Sequence, residues 1–166
     1  MTSIIKVDQI QTAAGGVPTA ADLGLNVSGN IINISRSETS TRTDNTSSSW
    51  VSVWAPTYTP IVSNSTIIIQ MKFSLRSYRN SGADGRASYK IYVNNVEKAY
   101  NGAIGTYDYG GHGIWVNQTH MENVEYDNTD GGIVTAELRT NAAGAMGINH
   151  NEVTSFSSVV FIEVAQ

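Results

Sequence analysis

The chain contains no cysteine, only three prolines, and 14% charged residues, where soluble domains carry roughly 25%. Without cysteine there are no disulfide staples, thiolate metal sites or thiol nucleophiles, so stability must come from packing or from association with other chains. Ten basic residues face 14 acidic ones, for a net charge of -4 and a pI near 5.2. That leaves no broad basic surface for a phosphate backbone, and no nucleic-acid partner is expected. No apolar run is long enough to span a bilayer as a helix, and Met1–Asp8 has charge every few residues and no apolar stretch. Neither a leader nor a membrane partner is expected, so the chain should work where it is made or leave the cell by another route. Helix signals are scarce too: only Pro18–Gly24, with Thr19 as a cap and Gly24 as a stop, has the pattern of a single turn.

What is abundant is small and polar: 18 Ser, 16 Thr and 15 Asn, beside 40% hydrophobic residues, in 166 positions. This length fits one domain with a real core. Five Asn-x-Ser/Thr sequons, at Asn26, Asn33, Asn45, Asn64 and Asn117, follow from this composition and need no glycosylation.

The rest reads as strands of five to ten residues separated by Gly, Asn, Asp and Ser, the spacing of an antiparallel β-sandwich or barrel. In Thr66–Arg76, Ile67, Ile69, Met71, Phe73 and Leu75 point one way, with Gln70, Lys72, Ser74 and Arg76 opposite. Ala87, Tyr89, Ile91 and Val93 alternate with Ser88, Lys90 and Tyr92, and Asn94-Asn95 then predicts a two-residue hairpin before Val96. Further strands are expected at 49–54, with Trp50 and Trp54 on one face, and at 57–62, 113–118, 120–126, 132–139, 143–148 and 157–164. Residues 35–48 hold no large apolar side chain and read as a polar connection, either a solvated strand and turn or a linker. Residues 1–34 then form an N-terminal attachment or assembly segment and 49–166 the sandwich domain. Ile5, Val7, Ile10, Leu23 and Leu25 are too few to bury one another in so short a segment, which points to a partner surface.

Residues suited to chemistry are sparse. No phosphate-binding glycine motif and no Gly-x-Ser-x-Gly elbow is present, and no cofactor is expected. His120/Glu122 and His150/Glu152 are each two apart, so on a strand each pair shares a face. The ordinary reading is polar residues on wet faces, and no metal site is assigned. Glu122, Glu125, Asp127 and Asp130 supply ligand types for a calcium loop, or a carboxylate pair for glycoside cleavage, without the defining spacing; a solvated turn accounts for them. In Gly105–Trp115, glycines free the backbone while Tyr107, Tyr109 and Trp115 offer flat faces and Asp108 and His112 offer hydrogen bonds. This is a receptor or glycan contact, or else a strand start with its turn. Tyr78 and Arg79, in the loop reaching Arg86, repeat the mixture.

Six stretches also carry a family resemblance. Ile5–Gln11 with Ala13–Gly24, then Ser49-Trp50-Val51 leading to Tyr58-Thr59-Pro60, Ser63–Ile69 and the closing Ser157–Ala165, resemble small virion structural proteins of aquatic tailed bacteriophages. The middle, 102–130, departs from that pattern. The resemblance implies a jelly-roll-like all-β sandwich with a short extended N-terminal arm, commonly a homotrimer, displayed on a virion assembled in the host cytoplasm. The expected function is structural and non-enzymatic: a tail fibre or appendage mediating host attachment, with capsid decoration as the alternative and a polysaccharide-binding or -degrading protein as the second. Its partners would be sister chains, tail or major capsid protein, and a host surface glycan.

Overall fold

A computed structural model describes residues 28–78, 85–106, 115–142, 145–148 and 156–166. Among the described residues there is no helix; the strands are β1 (Ile31–Thr39), β2 (Thr43–Asn45), β3 (Val51–Trp54), β4 (Thr57–Tyr58), β5 (Ser65–Tyr78), β6 (Gly85–Val93), β7 (Val96–Thr106), β8 (Trp115–Asn128), β9 (Val134–Ala142), β10 (Ala145–Ile148) and β11 (Ser157–Ala165). They make two antiparallel sheets packed as a sandwich. Sheet A runs β1-β11-β5, with β8 on the far side of β5; β10 succeeds β11 along β5 and carries β2 at its edge. Sheet B runs β3-β9-β6-β7, with β4 also on β9. Leaving aside the short β2, β4 and β10, the chain changes sheet at each connection except the β6–β7 hairpin. The two four-stranded layers therefore have jelly-roll-like order.

The expected alternation in β5 sets the core. Ile67, Ile69, Met71, Phe73 and Leu75 are at most 1% exposed, and burying each contributes about 1.5–3 kcal/mol. Tyr89, Ile91 and Val93 of β6, Val134, Ala136 and Leu138 of β9, and Val159 and Phe161 of β11 meet them. The Asn94-Asn95 turn has φ of 47° and 67°, as a twist-matched two-residue hairpin requires, and Val93 pairs with Val96.

Four expectations about elements change. The expected strands 113–118 and 120–126 are one strand, β8, paired with β5 from Ser65↔Asn128 to Tyr78↔Trp115. Polar His120 and Glu122 on its inner face hide the alternation. The strand expected over 57–62 stops at Tyr58, and Pro60 opens a bend that serves a buried carboxylate described below. The position 34 boundary falls inside β1, which pairs with β11 through Thr39↔Ser157, and β2 lies within the expected polar connection. Finally, a register shift between Ser52 and Trp54 separates the two tryptophans. Trp54 packs on the core, while Trp50 lies beside Lys90 on the outer face of sheet B. The single turn at 18–24 lies outside the described residues.

Candidate functional site

The expected contact residues Arg79, Tyr107, Asp108, Tyr109 and His112 lie outside the described residues, as do the side chains of Tyr78 and Trp115. The same holds for the anchoring residues Ile5, Val7, Ile10, Leu23 and Leu25, and for His150 and Glu152. What the strands fix is the place from which these segments depart. Tyr78 pairs with Trp115 and Gly85 with Thr106, so the connections 79–84 and 107–114 leave from one end of the sandwich.

Two interior polar clusters among the described residues carry ionisable side chains. At one, Glu163 of β11 is fully buried. Its Oε2 accepts from the Tyr58 hydroxyl at 2.6 Å and the Ile61 amide at 2.8 Å; its Oε1 accepts from the Val62 amide at 3.1 Å and the Ser65 hydroxyl at 2.9 Å. Burial alone would raise this carboxyl, but the four donors outweigh it and hold it below the ordinary carboxylate value. Tyr58, buried against the same carboxylate, is pushed up to about 12. Asn33 Nδ2 donates to the Tyr58 hydroxyl at 3.0 Å. Buried Asn128 closes the cluster, donating to Val62 O at 2.9 Å and Ser65 Oγ at 3.1 Å. Asn128 Oδ1 also accepts from the Gly131 amide at 2.9 Å, and Asp130 Oδ1 from Gly132 at 2.9 Å. The calcium-like stretch 127–131 is thus a self-bonded turn.

The second cluster overturns the wet-face reading of His120. Opposite Phe73 in register, its ring stacks on Phe73 at 5.7 Å and meets the edge of Tyr89 at 5.0 Å. Its Nε2 is buried without a hydrogen-bond partner among the described residues. Burial lowers His120 below its ordinary value, only partly opposed by Glu122. The Tyr89 hydroxyl donates to Glu122 and accepts from Asn101 Nδ2 at 3.3 Å; burial and the Glu122 bond push it up to about 12. His120 and Glu122 do share a face, as their spacing predicts, but it is the inner one. Glu125 and Asp127 have the opposite parity, so Glu122 is on the other side of the sheet from them. Among the described residues no three His, Asp or Glu converge as metal ligands.

The two outer faces differ in chemistry. On sheet A, cross-strand rows set Ile31 beside Val164, Ile34 beside Ile162 and Ile68, and Val160 between Arg36 and Gln70. Ile31 and Ile34 are 60% and 59% exposed, and Met121, across Lys72, is 71% exposed. On sheet B the face is aromatic and ionic. Lys90 Nζ lies 4.9 Å from the Trp50 ring centre and 5.5 Å from that of Tyr100, and the two rings meet edge to face at 6.2 Å. Glu97 Oε2 accepts from Lys90 at 2.6 Å and from the Tyr92 hydroxyl at 3.2 Å. Arg139 lies 4.2 Å over the Tyr92 ring and pairs with Glu137 at 2.5 Å. The hydrogen bond raises Lys90 and lowers Glu97 from their ordinary values.

Sequence reading missed both faces and both clusters as sites. The parity of Lys90 and Tyr92 was legible and pointed to the sheet B face. Trp50 and Tyr100 join them only through the β3 register shift and the β6–β7 pairing. No family model matches the chain, and no curated protein matches it.

Proposed function

We propose that this chain is a non-enzymatic structural protein of a bacteriophage virion, displayed on the particle surface as a homotrimeric tail fibre or appendage that mediates attachment. The observation that supports the assembly in this reading is the aliphatic outer face of sheet A. Antiparallel sheets that meet water on one side alternate apolar and polar residues. β11 instead has Val160, Ile162 and Val164 outside as well as Val159 and Phe161 inside, which is the pattern of a strand covered on both faces. Contiguous exposed aliphatic surface of this kind marks burial against another protein. The segment carrying Ile5, Val7, Ile10, Leu23 and Leu25 joins the described residues at Ser28. The next residue, Gly29, bonds Ala165 O at 2.9 Å, at the margin of the same face. Copies of the chain, with these segments, supply the cover.

Native mass spectrometry of the full chain tests this. A species of three chains of 17.8 kDa, shifted to smaller species by Ile34→Glu or Ile162→Lys with the circular dichroism spectrum retained, is the expected result. A stable monomer at micromolar concentration overturns the assembly. Cross-linking on intact particles then distinguishes tail contact from contact with the major capsid protein; the latter moves the chain to head decoration.

A further inference from the structure

We propose that the outer face of sheet B is a binding platform for neutral saccharides, built from Trp50, Tyr100, Lys90, Tyr92, Glu97 and Arg139. This site is distinct from the loop residues expected to contact a receptor, and it does not depend on the oligomer or on the virion reading.

Sugars present an apolar face of C–H groups and a rim of hydroxyls. A site that holds them pairs flat aromatic surface with fixed donors and acceptors. Both are here on adjacent strands. Tyr100 is 60% exposed and stands next to Trp50, edge to face, so the two rings form a corner instead of a single flat patch. Lys90 is seated at that corner, held by Glu97 and by both rings, with a side chain only 20% exposed. One ammonium bond goes to Glu97, and an ammonium carries three donors, so donor capacity remains at the corner. One row away, Tyr92 is clamped between Glu97 and Arg139. These groups are already ordered by one another, which reduces the entropy lost on binding.

Charge decides the class of ligand. Lys90 and Arg139 are matched by Glu97 and Glu137, so the patch offers alternating donors and acceptors with no net charge. A polyanionic glycan would have to displace two carboxylates from their cations. A neutral hexose can bridge an acceptor and a donor with vicinal hydroxyls and leave both ion pairs in place. No comparable aromatic surface lies on the outer face of sheet A among the described residues, where the exposed apolar groups are Ile31, Ile34 and Met121 with Phe156 beside Lys72.

The test is an array of neutral and anionic glycans probed with the full-length protein, followed by titration of the glycans that bind. The expected result is binding to neutral glycans, weakened at least tenfold by Trp50→Ala and by Tyr100→Ala with the circular dichroism spectrum and thermal midpoint retained, and weakened less by Lys90→Gln. Tyr100→Phe should retain binding, because the ring is kept. The proposal is overturned by no neutral glycan bound, by binding confined to anionic glycans, or by binding unaffected by both alanine variants. Loss on Trp115→Ala with retention in Trp50→Ala assigns recognition to the 107–115 loop and also overturns it. A monomer in the mass measurement leaves this proposal standing, so the two readings fail separately.

Discussion

The two interior clusters that carry ionisable side chains are of opposite quality. Around Glu163 both carboxylate oxygens are used by four donors, two of them backbone amides from the bend after Pro60. Around His120 the carboxylate of Glu122 is reached by Tyr89, but the imidazole packs on the Phe73 and Tyr89 rings and its buried Nε2 has no hydrogen-bond partner among the described residues. Low dielectric strengthens a satisfied network and penalises an unsatisfied one. The first cluster is therefore a lock joining β11 to the crossover between the sheets, and the second is a place where the interior is only loosely determined.

Removing the lock should have the largest effect on stability. Glu163→Leu takes the acceptor from the buried Tyr58 and Ser65 hydroxyls and from the half-buried Ile61 and Val62 amides, and since a buried orphan costs about 1–3 kcal/mol, a loss of about 3 kcal/mol is expected in denaturant unfolding. An unchanged midpoint would break the contrast at its stronger side.

Acid titration of stability gives an intermediate effect and separates the clusters by pH. The folded value of Glu163 lies below the ordinary 4.5. Its contribution is therefore complete above about pH 4.5 and is lost as pH falls through the folded value. His120 is depressed below 6.5 by burial. The unfolded chain takes up that proton first, so the contribution from keeping this residue neutral is complete above about pH 6.5 and declines from there downward. Glu163→Gln should flatten the lower step and leave the upper one, as followed by thermal midpoints from pH 8 to pH 3. A single step that survives both Glu163→Gln and His120→Phe would show that neither group governs acid sensitivity.

The smallest effect belongs to His120→Phe at neutral pH. A ring of similar shape replaces an unpaired polar atom, so the change should be about 1 kcal/mol or less, of either sign. It should abolish the upper acid step. A loss comparable to that of Glu163→Leu would mean that His120 is satisfied by a partner and that the two clusters are alike.

The same two clusters mark the limit of what the sequence disclosed. β5 and the β6–β7 hairpin were legible because their inward positions are uniformly apolar and Asn-Asn announces the turn. β1 was not, because it is an edge strand whose inward residues are Asn33, Ser35 and Ser37. These half-buried positions tolerate polar side chains, so no apolar face announces the strand. β8 looked broken at Thr119 because its inward set mixes His120 and Glu122 with Val124 and Tyr126. Glu163 did carry a signal. A lone charge at an inward position in Ser-Ser-Val-Val-Phe-Ile-Glu-Val-Ala is a buried carboxylate in need of donors, although its donors come from residues about 100 positions away. Spacing along the chain cannot identify such partners, nor could it bring Trp50 to Lys90 and Tyr100 of sheet B.

The place of β11 has a consequence for how a newly made chain becomes this protein. β11 is interior to sheet A, between β1 and β5, although it follows the other described strands in the sequence. While β11 is still inside the ribosome, β1 has no partner strand and one long edge of β5 is bare from Ser65 to Lys72. Translation runs at about 5–20 residues per second, so this unfinished sheet persists for seconds with aliphatic residues uncovered. Sheet A can therefore close only once β11 has left the ribosome, in a step that zips β1, β11 and β5 together and seats Glu163 among its donors. Until that step, nascent chains on neighbouring ribosomes are exposed to one another through the same open edges.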